Sequence, residues 1–414
     1  MVNPQIKVIS YLRFLRQEKG MSLNQLSQIS GFSKSCISRM ENSQIYSVDL
    51  YLKTITESFG IDFNDSLELN KEIEEGFNQI IYQIIMFDSN WNRCFKQLKS
   101  KESAIICTTN YPVYILIKYF VYCIKNINHT FIKKYTKSIE KVFYGLSTKQ
   151  QKTFLLARMA NLFFLSEYNE ALSIFKRIET CYKVNDVLDS LMYHLVMLIY
   201  SDLGQVDNIK FYLTKAKEIS MKIHNIKRFT NLMINEANLL GLMNFYDQAL
   251  QCSKENLKLC EQYDISEVKF TILNNIAVSY YWLKEYEASL EFYKKALLET
   301  TNADNALYFS IAELYFRLND YKNCRKYIKL GQNSILYKEI YGDLLNWLEA
   351  MANKRYSQKA KRLLLKCYQN NYDRAHIQTK KYLLNLLIEQ FQYEKNIQSV
   401  QYFQKEMNTL NKYS

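Results

Sequence analysis

The sequence predicts an all-α protein, and three observations carry that prediction. Only 9 Gly and 2 Pro punctuate 414 residues, too few for the tight turns of an all-β fold or the glycine-rich phosphate loops of a nucleotide fold. Apolar residues recur at three- and four-residue spacing through most of the chain, the period of an amphipathic helix. In the C-terminal half an aromatic-and-small-residue pattern returns every 35 to 40 residues. A chain of this length exceeds one compact core, so several domains or a repeat array are expected. With 48% apolar and 14% aromatic residues it has ample material for packed cores, which excludes global disorder.

The N-terminal elements follow in order. Ile6, Ile9, Leu12 and Leu15 mark a first helix that stops at Gly20. Ser22 is a good N-cap for a second, marked by Leu23, Leu26 and Ile29 and closed by Gly31, which tolerates the left-handed conformation of a C-cap. Ser33 caps a third, whose Ile37 and Met40 face inward while Lys34, Ser35, Ser38 and Arg39 share the opposite face.

This run of residues, from Leu12-Arg13 through Ser22, Gln25-Leu26-Ser27, Gly31 to Asn42 and Phe59-Gly60-Ile61, resembles the Xre-type, phage-repressor-like helix-turn-helix. The resemblance implies five short helices over residues 1–66, the third lying in the DNA major groove. It implies base-edge contacts from Lys34, Ser35 and Arg39, with Ser38 close by, and phosphate contacts from Ser33 and Asn42. Arg16 and Glu41 match a structural pair that ties the first helix to the end of the third. The chemistry is consistent: Arg39 can grip guanine with two parallel hydrogen bonds, and Lys34 can serve guanine or phosphate. Leu23 stands where the family usually has a phosphate-contacting Gln. One such domain neutralises few phosphates, so a homodimer reading an inverted-repeat operator in double-stranded DNA is expected, with half-sites about 34 Å apart. The alternative is a solvated helix face or a helix-turn-helix kept for docking protein.

The boundary segment is acidic and too poor in Gly and Ser for a floppy tether, so a last short helix and then a linker helix are expected, with residues 67–76 as the linker and a second domain over residues 77–414. There, Ala277, Tyr280, Tyr286, Ser289, Tyr293 and Ala296 align at a uniform offset with Ala312, Tyr315, Tyr321, Cys324, Ile328 and Gly331. Tyr246, Tyr168 and Tyr356 extend the series. The pattern resembles tetratricopeptide (TPR) repeats, which implies about nine helical hairpins stacked in a right-handed TPR-like α-solenoid. Its concave wall is lined by the first helix of each hairpin. The repeat register sets Asn231, Asn238, Asn274, Tyr281, Phe309, Glu313 and Arg317 on that wall, with His194 in the equivalent place one repeat earlier. An asparagine amide both donates and accepts, so it can hold an extended peptide backbone whatever its side chains; Arg317 or a nearby Lys can take a carboxylate. Asn is abundant in this chain, and a shift of register moves all of these residues off the wall.

No catalytic constellation is visible. Four histidines lie far apart, and there is no HExxH, P-loop, GxGxxG or GxSxG. No enzyme activity, cofactor or metal is expected. Nine cysteines without a CxxC read as thiols in a reducing compartment. Neither a membrane span nor a secretion signal is legible, so a cytoplasmic protein is expected. The net charge of +13 is weak evidence for nucleic acid, because residues 1–65 contribute only seven Lys/Arg against six Asp/Glu.

An Xre-type helix-turn-helix followed by a long TPR array resembles the peptide-pheromone receptors of Gram-positive bacteria, the Rap/Rgg/NprR/PlcR/PrgX group. The resemblance implies a quorum-sensing transcription regulator gated by a short signalling peptide in the TPR groove. A TPR regulator that binds a protein partner, such as a response regulator or a phage or mobile-element antagonist, is the alternative.

Overall fold

A computed structural model describes residues 3–42, 48–184 and 186–412. Among the described residues every regular element is helical. Two compact units are present, Met1–Ile199 with Phe211–Asn225, and Tyr200–Lys210 with Ile226–Ser414.

The first unit opens with four short helices, α1 (Pro4–Glu18), α2 (Leu23–Ser30), α3 (Lys34–Glu41) and α4 (Val48–Ser58). Their caps are those the sequence announces. Ser22 and Gln25 exchange hydrogen bonds in a capping box, Gly31 is left-handed at φ 73°, and Ser33 accepts from the Cys36 N–H. Tyr11, Leu12, Phe14, Leu26, Ile37, Tyr51 and Ile55 of these helices are all fully buried.

Next come α5 (Leu67–Ile85), α6 (Trp91–Ser100), α7 (Glu102–Ile105), α8 (Tyr111–Lys125), α9 (His129–Lys141), α10 (Thr148–Phe164) and α11 (Tyr168–Cys181). Residues 67–76, expected from the sequence to be a linker helix, are the first half of the 19-residue α5. Ser66 caps it, and Asp65 just before accepts from both the N–H and the hydroxyl of Thr109.

Helix α1 is fastened to this region as well. The Tyr11 hydroxyl donates to the Ile106 carbonyl at 2.7 Å. The Glu18 carboxylate accepts from Tyr111 at 2.7 Å and from Tyr135, while the Phe14 ring packs on both of those rings.

Helices α12 (Asp186–Asp202) and α13 (Val206–Lys222) follow. The second unit contains α14 (Ile226–Leu242), α15 (Tyr246–Gln262), α16 (Lys269–Trp282), α17 (Tyr286–Leu298), α18 (Asn305–Arg317), α19 (Tyr321–Gln332), α20 (Glu339–Asn353), α21 (Gln358–Asn371), α22 (Ile377–Tyr393) and α23 (Ile397–Lys412). These are TPR-like hairpins, and the repeated tyrosines have a common place in them. Tyr168, Tyr246, Tyr286 and Tyr321 each begin the second helix of a pair.

The turn before that helix is also repeated. Ser166, Gly204, Asn244, Lys284, Asn319, Tyr356 and Lys395 all have positive φ, two residues ahead of the second helix. In six of the seven the following N–H bonds back to the carbonyl five residues earlier, as in Glu285 to Tyr280 and Asp320 to Tyr315. That closure satisfies the helix-end carbonyls and overrides the usual demand for glycine. The scarcity of glycine therefore does not mean a scarcity of left-handed turns. Where a hairpin truly needs glycine, the reason is space: a Cβ on Gly331 would lie 2.8 Å from Leu345 Cδ1 and 3.1 Å from Tyr308 Cβ.

Candidate functional site

In the first unit, α3 turns Ile37 and Met40 into the core and leaves Lys34, Ser35, Arg39 and Asn42 exposed, with Ser38 half-buried. Ser33 is exposed at its N-cap. Neither Lys34 nor Arg39 forms an ion pair among the described residues, so both cations are available to an anionic partner. The helix is held from behind by a bidentate bond: Arg16 Nε and Nη2 donate to the two oxygens of Glu41, both at 2.6 Å, and Nη1 donates to the Met21 carbonyl at 2.7 Å. Burial works against the charged guanidinium, but Glu41 more than offsets it and the pKa of Arg16 is raised. Glu41 is the last residue of α3, so this bond fixes that helix against α1.

In the second unit the first helices of successive hairpins, α14, α16, α18 and α20, together with α22, line a half-open cavity of about 190 Å³. Asn238, Asn274, Tyr281, Phe309 and Glu313, all set on the wall by the repeat register, line it. Asn238 Oδ1 accepts from Asn275 Nδ2 at 2.9 Å, so two neighbouring helices present linked amides. Glu313 is almost wholly buried, its Oε1 taking hydrogen bonds from the Tyr281 hydroxyl at 2.7 Å and from Arg317 Nε at 2.8 Å. Burial first, and then the Glu313 charge, push the pKa of Tyr281 well above its usual value, which keeps the phenol a donor.

Three residues set on the wall by the register lie elsewhere. Asn231 is not part of the lining, because its amide donates to Lys227 O one turn back on its own helix. Arg317 is also outside the lining, its guanidinium engaged by Glu313 and, at 3.3 Å, by Glu389. His194 belongs to the first unit, half-buried on α12.

Several lining residues escaped the sequence reading. Asn275, Trp282, Tyr246 and Tyr341 come from the hairpins, and Gln378, Thr379, Lys381 and Tyr382 from one face of α22. That helix carries no aromatic-and-small signature to announce it. It reaches across the cavity, since Lys381 Nζ donates to Leu242 O at the end of α14, 2.8 Å away. The Tyr382 ring lies 6.1 Å from Tyr281 and 6.0 Å from Phe309.

Among the described residues no group of His, Cys, Asp and Glu could hold a metal ion, and no helix is long and apolar enough to cross a membrane. No family model matches the chain. The transcriptional activator NprA of Geobacillus stearothermophilus is 22% identical over 305 residues, 70% of this chain and 73% of that protein. The apo form of RapI superposes with a TM-score of 0.64 at 14% identity, covering 83% of this chain and 97% of RapI. NprR in complex with its cognate peptide NprX gives a TM-score of 0.55 at 16% identity, covering 81% of this chain and 99% of that one. The fold is that of the Rap and NprR proteins. The resemblance read from the sequence, to the Rap/Rgg/NprR/PlcR/PrgX group, holds in this fold and in the NprA relative. The TPR-like α-solenoid expected for the C-terminal region agrees with the same likeness.

Proposed function

We propose that this chain is a cytoplasmic transcription regulator that binds operator DNA through α3 and is gated by a short signalling peptide in the cavity of the second unit. The observation that carries the peptide reading is the cavity wall. Asn238, Asn274 and Asn275 line it beside Tyr281, Trp282 and Phe309, combining backbone-reading amides with aromatic walls for side chains. The NprX complex of NprR, a protein of the same fold, supports the ligand class. DNA binding is supported by the exposed, unpaired Lys34 and Arg39 on a braced helix and by the likeness to a transcriptional activator. A homodimer supplies the second α3 that an inverted-repeat operator needs.

A space of about 190 Å³ is smaller than the roughly 300–1,000 Å³ of typical ligand sites. Parting α22 from the helices it faces is the way we propose for a peptide of several residues to gain room there. Such a displacement gives the ligand a preference for one arrangement of the chain, and that preference is what gates DNA binding.

The test is a mobility shift of the full-length protein on the DNA flanking its own gene, with and without synthetic peptides from adjacent short reading frames. A specific shift that one peptide alters in wild type but not in Asn238→Ala is the expected result. A specific shift that no peptide alters removes the gating, and no specific shift at all removes the DNA reading.

A further inference from the structure

We propose that the ligand of this cavity carries a carboxylate, which Lys381 receives. This rests on the peptide reading above and names the chemistry of one end of that peptide.

The argument starts from how the chain treats its buried lysines. Three are buried among the described residues: Lys118, Lys152 and Lys381. Lys118 is paired with Glu102 at 2.8 Å, and Lys152 with Asp189 at 2.5 Å. Lys381, only 5% exposed, has no carboxylate within ion-pair distance; its ammonium has the Leu242 carbonyl at 2.8 Å. An ammonium has three protons to donate, and a buried charge without a counter-charge is costly. Burial lowers the pKa of Lys381, and no anion restores it. This lysine lines the cavity.

A second donor follows it in the wall. Tyr382, the next residue, also lines the cavity, and burial followed by the Glu313 charge pushes its phenol pKa well above the usual value, so it stays a donor. An oxyanion is an acceptor with lone pairs for several donors, so a carboxylate can take the Lys381 protons that the Leu242 carbonyl leaves free. The cavity's own anion, Glu313, is already balanced by Arg317 and held by Tyr281. Its charge therefore opposes an incoming carboxylate less than a bare one would. Two sources supply the same chemistry, a peptide's C-terminus or an Asp or Glu side chain.

The probe is a randomised heptapeptide pool, affinity-selected on the full-length protein and read by mass spectrometry. It is made in three forms: free acids without Asp or Glu, C-terminal amides without Asp or Glu, and C-terminal amides that include them. The expected result is retention of the first or third form about ten- to hundredfold above the second, the first naming a C-terminal and the third a side-chain carboxylate. Lys381→Met, which keeps the apolar stem, loses that preference while still retaining peptides, and Lys381→Arg keeps it. Equal retention of all three forms by wild type overturns the carboxylate and leaves the peptide reading standing. Retention of nothing overturns both. The wild-type comparison does not depend on whether either variant folds.

Discussion

Replacing Glu18 with Ala should loosen α1 from the helices behind it, and the structure sets the size of the effect. The carboxylate is 19% exposed and accepts hydroxyl protons from Tyr111 and Tyr135, residues that are themselves 3% and 6% exposed. Both phenols have pKa values raised, first by burial and then by Glu18, so they remain protonated donors at neutral pH. Truncation leaves two buried hydroxyls without an acceptor at about 1–3 kcal/mol each; water entering by the exposed edge recovers part of this, leaving about 2–4 kcal/mol. Glu18→Gln keeps one carbonyl acceptor and should cost about half as much. Urea denaturation of the full chain measures the total, and amide hydrogen exchange localises it. Protection should fall along α1 and persist in α14 to α19. A loss below about 0.5 kcal/mol, or unchanged exchange in α1, would refute the idea that Glu18 is the fastening point.

Three further outcomes follow from the same geometry. Lys34→Ala and Arg39→Ala should each weaken operator binding by about 1–3 kcal/mol with no change in melting temperature; an unaltered mobility shift in both would remove α3 from the DNA interface. Arg317→Ala strands the Glu313 carboxylate in the interior and should destabilise the chain by about 3–5 kcal/mol, whereas Glu313→Leu with Arg317→Leu should cost far less. Calorimetry showing equal losses would contradict a buried pair. Iodoacetamide at pH 8 should modify the exposed Cys181 first and spare Cys260, whose thiol burial pushes up to about 11, and Cys123, Cys324 and Cys367, each pushed up to about 12. Against an ordinary thiol these should react roughly a hundred- to a thousandfold more slowly, and peptide mapping that finds Cys324 alkylated as fast as Cys181 would show that the hairpin cores open.

Local signals made much of this fold readable. Ser22, Gly31 and Ser33 act on their own helix ends, and the tyrosines that begin α15, α17 and α19 mark a repeat whose register put five residues on the cavity wall. What could not be read depends on contacts far along the chain. Arg317 has the right register, but Glu389 lies 72 residues away and takes up its charge. Lys381 meets α14 across 139 residues, and no period in the sequence foretells that meeting. The left-handed turns at Lys284 and Asn319 need no glycine because hydrogen-bonded closure of the hairpin outweighs local propensity. The acidic residues 67–76 suit the start of a helix after the Ser66 cap, and the linker helix expected there is the first half of α5, which runs on to Ile85.

The bond from Lys381 to the end of α14 also bears on how quickly, and to what, such a protein responds. If the proposed peptide enters by parting these two helices, it engages only the fraction of molecules in which they have parted. Its apparent dissociation constant is then its intrinsic one divided by that fraction, and every ~1.4 kcal/mol favouring the held form weakens it tenfold. Transient encounters with unrelated cellular peptides would go unanswered. A matching peptide, by supplying the ammonium with a better partner, would cancel that handicap and stay for a long time once seated. Under that proposal the bond would set a threshold concentration for the response, independent of how well the rest of the wall fits.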